Sequence, residues 1–218
     1  MKKILFLFIA SIIKLGMAQK TYLALGDSYT ICEGVELENS WPYYLVEHLN
    51  ANGHHFSNPT IVAKTGWRTD ELQTAIEDQL SDEDQFDLLS LLIGVNNQYQ
   101  DKPFRKYKRE FRKLLKEAID RSRTGKEGVF VVSIPDYGVT PFAEEKNKTN
   151  AIEDLKRYND FAKDLCDKKD VRFYDITELS QNLSMDNNML IDDKLHPNQK
   201  QYQLWVDSFL DDLLDKLK

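Results

Sequence analysis

Five stretches of the chain are apolar at nearly every position, and each gives way to a polar or glycine-containing turn: TYLALGD from Thr21, TIVAKTG from Thr60, FDLLSLLIG from Phe86, GVFVVSIPD from Gly128 and VRFYDI from Val171. Runs of this length with no polar alternation predict strands covered on both faces. Between them, apolar residues recur every three or four positions, the signature of helices with one buried face. The spacing predicts helices over Ser40–Gly53 (Ser40 as cap, Pro42 in the first turn, Gly53 as the stop), Thr69–Leu80 (Thr69 as cap) and Phe104–Arg123. A fourth covers Asn150–Lys169, capped by Thr149 or Asn150, and a last one Asn198–Leu217, with Tyr202, Val206, Phe209, Leu210, Leu213 and Leu217 on one face.

Strands buried on both sides and separated by helices imply a parallel sheet between two helical layers, a three-layer α/β/α sandwich of about five strands. No repeat, low-complexity tract or long linker divides it. Ligands of such sheets lie in the crevice beyond the carboxyl ends of the strands, so the chemistry is expected just after each strand.

Composition narrows the picture. The chain carries a formal net charge of -7 and 41% hydrophobic residues, an ordinary globular balance that disfavours a phosphate-backbone partner. The basic stretch FRKYKREFRKLLK (Phe104–Lys116) has Phe104, Tyr107, Phe111, Leu114 and Leu115 at helical spacing, so it reads as a solvated face, not a nucleic-acid site. Residues 1–18 read as a secretory signal: two lysines, the apolar run ILFLFIASII, then Gly16 and Ala18 at the positions a signal peptidase inspects. Cleavage after Ala18 would leave residues 19–218 as one exported domain, secreted or periplasmic, with no stable membrane insertion. Two cysteines, Cys32 and Cys166, leave a single disulfide open as an alternative to buried free thiols. The neighbouring His54 and His55 lack a third ligand at metal-site spacing, so neither metal nor cofactor is called for.

The strand ends present a particular set. Strand one ends in Gly26-Asp27-Ser28, strand two at Gly66, strand three in Gly94-Val95-Asn96-Asn97 and strand four at Asp136; Asp192, Asp193 and His196 precede the last helix. A serine hydroxyl needs a base, usually histidine, and the histidine needs an acceptor on its other ring nitrogen. Asp193, three residues before His196, can share one turn with it, and Asp192 is the competing carboxylate. The Ser28 amide, the Gly66 amide and the Asn96 side chain are candidate donors to a developing oxyanion. Trp41, Trp67, Tyr99 and Tyr137 stand near these ends as candidates for either substrate floor or core.

GDSYT, the isolated Gly66, GVNN and DKLH resemble, in order and spacing, the four blocks of the SGNH hydrolases, also called GDSL-type esterases/lipases. The resemblance runs from the first strand to the start of the last helix. It implies a flavodoxin-like sheet of order 2-1-3-4-5, with Ser28 as nucleophile, His196 as base, Asp193 as its orienting acid, Gly66 and Asn96 as oxyanion donors, and Asp27 bracing the nucleophile turn. Asn97 departs from the acid that often ends the third block, and Lys194 falls inside the fourth. The implied function is a serine ester hydrolase for a small-molecule or carbohydrate ester. A lysophospholipase or thioesterase, an acyltransferase and a non-catalytic carbohydrate-binding relative are the alternatives.

Overall fold

The computed structural model describes residues 18–218; the expected leader lies outside the described residues but for Ala18. Five strands form one sheet: β1 (Tyr22–Gly26), β2 (Thr60–Ala63), β3 (Leu88–Leu92), β4 (Val129–Val132) and β5 (Arg172–Tyr174). Their order is β2-β1-β3-β4-β5 and every pairing is parallel, as the resemblance implied. β1, β3 and β4 are buried at every position, which is why their sequences show no alternation.

Nine α-helices, besides four short 3-10 turns, occur among the described residues: α1 (Ser28–Ile31), α2 (Trp41–Ala51), α3 (Thr69–Gln79), α4 (Val95–Tyr99), α5 (Phe104–Asp120), α6 (Pro141–Glu145), α7 (Ala151–Lys169), α8 (Thr177–Ser184) and α9 (Gln199–Lys216). α2 and α8 pack against α9, whereas α5 lies between α3 and α7, giving the two outer layers. Between α5 and α7, Tyr107, Phe111, Tyr158 and Phe161 form an aromatic cluster, with Tyr107 and Tyr158 rings 4.3 Å apart. The basic face of α5 is drawn into this packing: the Arg112 guanidinium sits 4.8 Å over the Phe161 ring, and Lys106, Arg109 and Lys116 pair with carboxylates. Among the described residues no helix is long and apolar enough to cross a membrane.

Several local expectations are corrected. Ser40 occupies the cap position of α2, yet its hydroxyl is buried without a partner and does not cap the helix. Thr69 begins α3 but is not its cap. The Arg68 amide is taken by Glu71, while the Thr69 hydroxyl turns inward to Glu110. Asn150 stands at the cap of α7 without a side-chain bond, whereas Asn198 does cap α9 by accepting from the Gln201 amide. On α9, Trp205 joins the buried face, and Leu210 and Leu217 lie at its edge. Both cysteines are free and buried, which removes the disulfide. Burial pushes the Cys166 thiol up to about 12 and raises Cys32 further, so neither is a ready nucleophile.

Candidate active site

The first strand ends where its neighbours crowd it. A Cβ at Gly26 would stand 2.0 Å from the Thr30 hydroxyl and 2.5 Å from the Leu92 carbonyl. The chain then turns through Asp27, whose Oδ1 accepts from the Tyr29 amide at 3.1 Å, and Ser28 opens α1 facing the crevice. Far along the chain, Asp193 stands in the loop before α9. Its Oδ1 accepts from the Leu195 and His196 amides, both at 2.9 Å, and its Oδ2 meets His196 Nδ1 at 2.6 Å. His196 Nε2 lies 2.9 Å from Ser28 Oγ. Asp193, not Asp192, is therefore the carboxylate on the ring; Asp192 is exposed. Burial works against ionised Asp193, but the bonds from the His196 ring and the two amides outweigh it and hold the carboxyl below the ordinary carboxylate value.

The donors assemble from two further strand ends. Gly66 has a φ of +83°, a left-handed conformation, and a Cβ there would meet nothing within 4 Å. Glycine is thus required for backbone conformation, not for space. Asn96 Nδ2 donates one hydrogen to the Trp67 carbonyl at 3.0 Å, which fixes the amide plane and leaves its second hydrogen for the crevice. Gln100, one turn on, donates to the Gly66 carbonyl at 3.2 Å and is itself held by Arg68 at 2.7 Å. The Arg68–Gln100 brace went unseen in the sequence because α4 is a five-residue helix, too short to show a period.

Asn97 has a structural task. It is buried, its Oδ1 accepts from the Thr69 amide at 3.0 Å and its Nδ2 donates to the Thr69 hydroxyl at 2.8 Å. An aspartate could not make both bonds while ionised, which accounts for the departure at this position. Lys194 pairs with Glu145 of α6 at 2.7 Å on the exposed side of its loop, away from the histidine. Asp136 is buried and accepts from the Gly138 amide and from Gln181, so it braces the loop after β4. Of the four aromatic candidates, Trp41 is core, with its indole donating to the Tyr29 carbonyl, and Tyr99 and Tyr137 line the crevice.

Ser28, His196, Gly66 and Asn96 open on one cavity of about 140 Å³, walled by Val95, Tyr99, Tyr137, Phe142 and Leu195. Tyr137 is fixed there by its hydroxyl bond to Gln98 at 2.8 Å. Among the described residues no group of three metal-ligating side chains converges.

Asp27 carries a titration of its own. It is wholly buried, its Oδ2 has no partner, and burial pushes the carboxyl up to about 7. An unfolded aspartate releases its proton near about 4, so between these values the folded state holds the extra proton and stability falls as pH rises. Asp27→Asn is expected to flatten that slope, its melting temperature gaining on the parent as pH is raised from about 4 to about 8. Parallel melting curves across the range would show that Asp27 does not titrate there.

Comparison with curated protein sequences yields no significant match. Among solved structures, the fold is shared with a member of the lipolytic G-D-S-L family from Veillonella parvula, at 14% identity over 88% of this chain and 96% of that one, TM-score 0.69. It is also shared with a psychrotrophic esterase from a Pseudoalteromonas species, at 16% identity over 91% and 99%, TM-score 0.67. An acetylxylan esterase from Geobacillus stearothermophilus aligns at 17% identity over 89% and 94%, TM-score 0.69. The family model for GDSL-like lipases/acylhydrolases matches residues 24–204, from β1 into α9, and with four strand ends meeting at Ser28 the chain belongs to that family of ester-cleaving hydrolases.

Proposed function

We propose that the chain is an exported serine esterase that removes short acyl groups, acetyl on a carbohydrate foremost, through an acyl-enzyme. The observation that carries this reading is the hydrogen-bond chain Asp193–His196–Ser28 opening on a cavity of about 140 Å³. Ser28 Oγ attacks the ester carbonyl and passes its proton to His196 Nε2, while Asp193 holds the Nδ1–H tautomer and stabilises the imidazolium. The charge that forms on the carbonyl oxygen is met by the Ser28 and Gly66 amides and by Asn96 Nδ2. His196 returns its proton to the departing alcohol, then activates a water that releases the acid and restores Ser28.

Cavity size argues for the short acyl group. Drug-sized ligands occupy pockets of about 300–1,000 Å³, and a water molecule takes about 30 Å³ of liquid, so the space at Ser28 suits an acyl group of a few heavy atoms. That weighs against the lysophospholipase and thioesterase readings, which need room for a long chain. The likeness to an acetylxylan esterase supports the carbohydrate ester, and the leader read in residues 1–18 supports export. A non-catalytic binder would have no use for the paired imidazole and hydroxyl.

Hydrolysis of p-nitrophenyl esters of increasing chain length tests the reading. kcat/KM is expected to be highest for acetate and to fall at least about tenfold by octanoate, since a cavity of about 140 Å³ walled by Tyr137 and Phe142 holds only a few heavy atoms. A preference for the long chains would remove the deacetylase assignment and favour the lipid-directed one.

A further inference from the structure

Trp67 is one residue beyond the oxyanion glycine, yet it does not line the Ser28 cavity. It walls a second, open groove of about 370 Å³ that runs along α3. α3 presents Glu71, Thr74, Ala75 and Asp78 to this groove at helical spacing, so they form one continuous face beside the indole. Of the polar groups there, Asp70 and Glu71 are engaged with Arg68 and Lys106. Thr74, Asp78 and Gln79 are exposed. Trp67 itself is only partly buried, whereas Trp41 and Trp205, the other two tryptophans, are each 2% exposed.

Resting on the esterase reading above, we infer that this groove is a subsite for a neutral sugar unit of the polysaccharide whose ester enters the Ser28 cavity. The two spaces are lined by consecutive residues, Gly66 in one and Trp67 in the other. The Gly66 carbonyl is held by Gln100 and the Trp67 carbonyl by Asn96, so a bound chain would cross a braced segment. An indole face covers the apolar C–H face of a pyranose, and the hydroxyl, carboxylate and amide groups of α3 bond its hydroxyls. The sign of the charge selects the sugar. Asp70 and Glu71 are paired, but Asp78 has no cationic partner among the described residues, so a uronate would meet its like charge while a neutral sugar would not.

Tryptophan fluorescence of the Ser28→Ala protein, which binds without turnover, reports on the groove directly because Trp67 is the one tryptophan open to solvent. A neutral xylo-oligosaccharide is expected to protect it from acrylamide quenching, and an oligogalacturonate is expected not to. In the catalytically intact protein, Thr74→Arg fills the groove from α3 and leaves the sequence of the Gly66–Trp67 segment unchanged. It should lower the ratio of kcat/KM on acetylated xylo-oligosaccharide to that on p-nitrophenyl acetate by about tenfold. Trp67→Ala should lower the same ratio and Trp67→Phe should recover most of it. Unprotected fluorescence, protection by the acidic oligomer, or a ratio that does not move in either variant would overturn the subsite. The esterase reading would survive any of these as long as p-nitrophenyl acetate is cleaved with Ser28 present, and would fail separately if it is not.

Discussion

Ser28→Ala is expected to lower kcat on p-nitrophenyl acetate by at least about 10⁴-fold while the protein stays folded. The loss is large because the substitution deletes the one oxygen that His196 Nε2 reaches, at 2.9 Å, and the amides around the cavity have no other nucleophile to serve. Packing cost is small, since only a hydroxyl leaves a side chain that is 5% exposed. His196→Ala should lose a similar factor, and the double variant should lose little more than either alone, as expected if the two groups in contact at 2.9 Å act as one proton-transfer unit. Asp193→Asn separates the competing carboxylates. An asparagine keeps an oxygen for the Leu195 and His196 amides but turns an NH₂ toward His196 Nδ1, which forces the wrong tautomer. Asp192→Asn, at an exposed position, should leave turnover near that of the parent. Each variant is read by steady-state turnover beside a thermal melt. Stoichiometric labelling by a serine-directed phosphonate, lost in Ser28→Ala, identifies the reacting oxygen. Retained turnover in a folded Ser28→Ala protein would refute the nucleophile assignment.

What the sequence made legible follows from length scales. β1, β3 and β4 are runs apolar on both faces, and long helices such as α5 and α7 repeat their buried residues over several turns, so pattern alone located them. The residues that converge on the Ser28 cavity were legible because parallel topology sends every strand end to one rim, and short blocks at those ends carry them. The supports were not. α4 and α6 are five residues each, below one and a half turns, and no period can appear in them. Yet the residue that ends α4, Gln100, reaches the Gly66 carbonyl, and α6 supplies the Phe142 wall. The cap assignment at Thr69 failed for a different reason. A hydroxyl's choice between the helix end and a buried partner depends on contacts such as Glu110, forty-one positions away, which local sequence does not contain. Asn97 shows the same limit, since its departure from the family pattern makes sense only beside Thr69.

Gly26→Ala is expected to be the most damaging small substitution in the nucleophile turn, destabilising the fold by about 3 kcal/mol or more. For a domain of this size that is a fall in melting temperature of roughly 6–12 °C. The added methyl would lie 2.0 Å from the Thr30 hydroxyl and 2.5 Å from the Leu92 carbonyl, and the second of these is backbone of the central strand beside it. Relief therefore requires the end of β1 to move, and Asp27 and Ser28 move with it. A displacement near about 1 Å at Ser28 is worth roughly 10²-fold in kcat, so the folded fraction of the variant should also be slow. Gly66→Ala provides the contrast, because its Cβ would meet nothing within 4 Å and the cost is only that of holding alanine at φ +83°, about 1 kcal/mol. Adding Thr30→Ala to Gly26→Ala removes the hydroxyl clash but leaves the Leu92 carbonyl in place, so recovery of both stability and turnover should be partial. Complete recovery in the double variant would mean that the Thr30 side chain alone demands glycine at this position, and that the carbonyl of β3 yields to the extra methyl without disturbing Ser28.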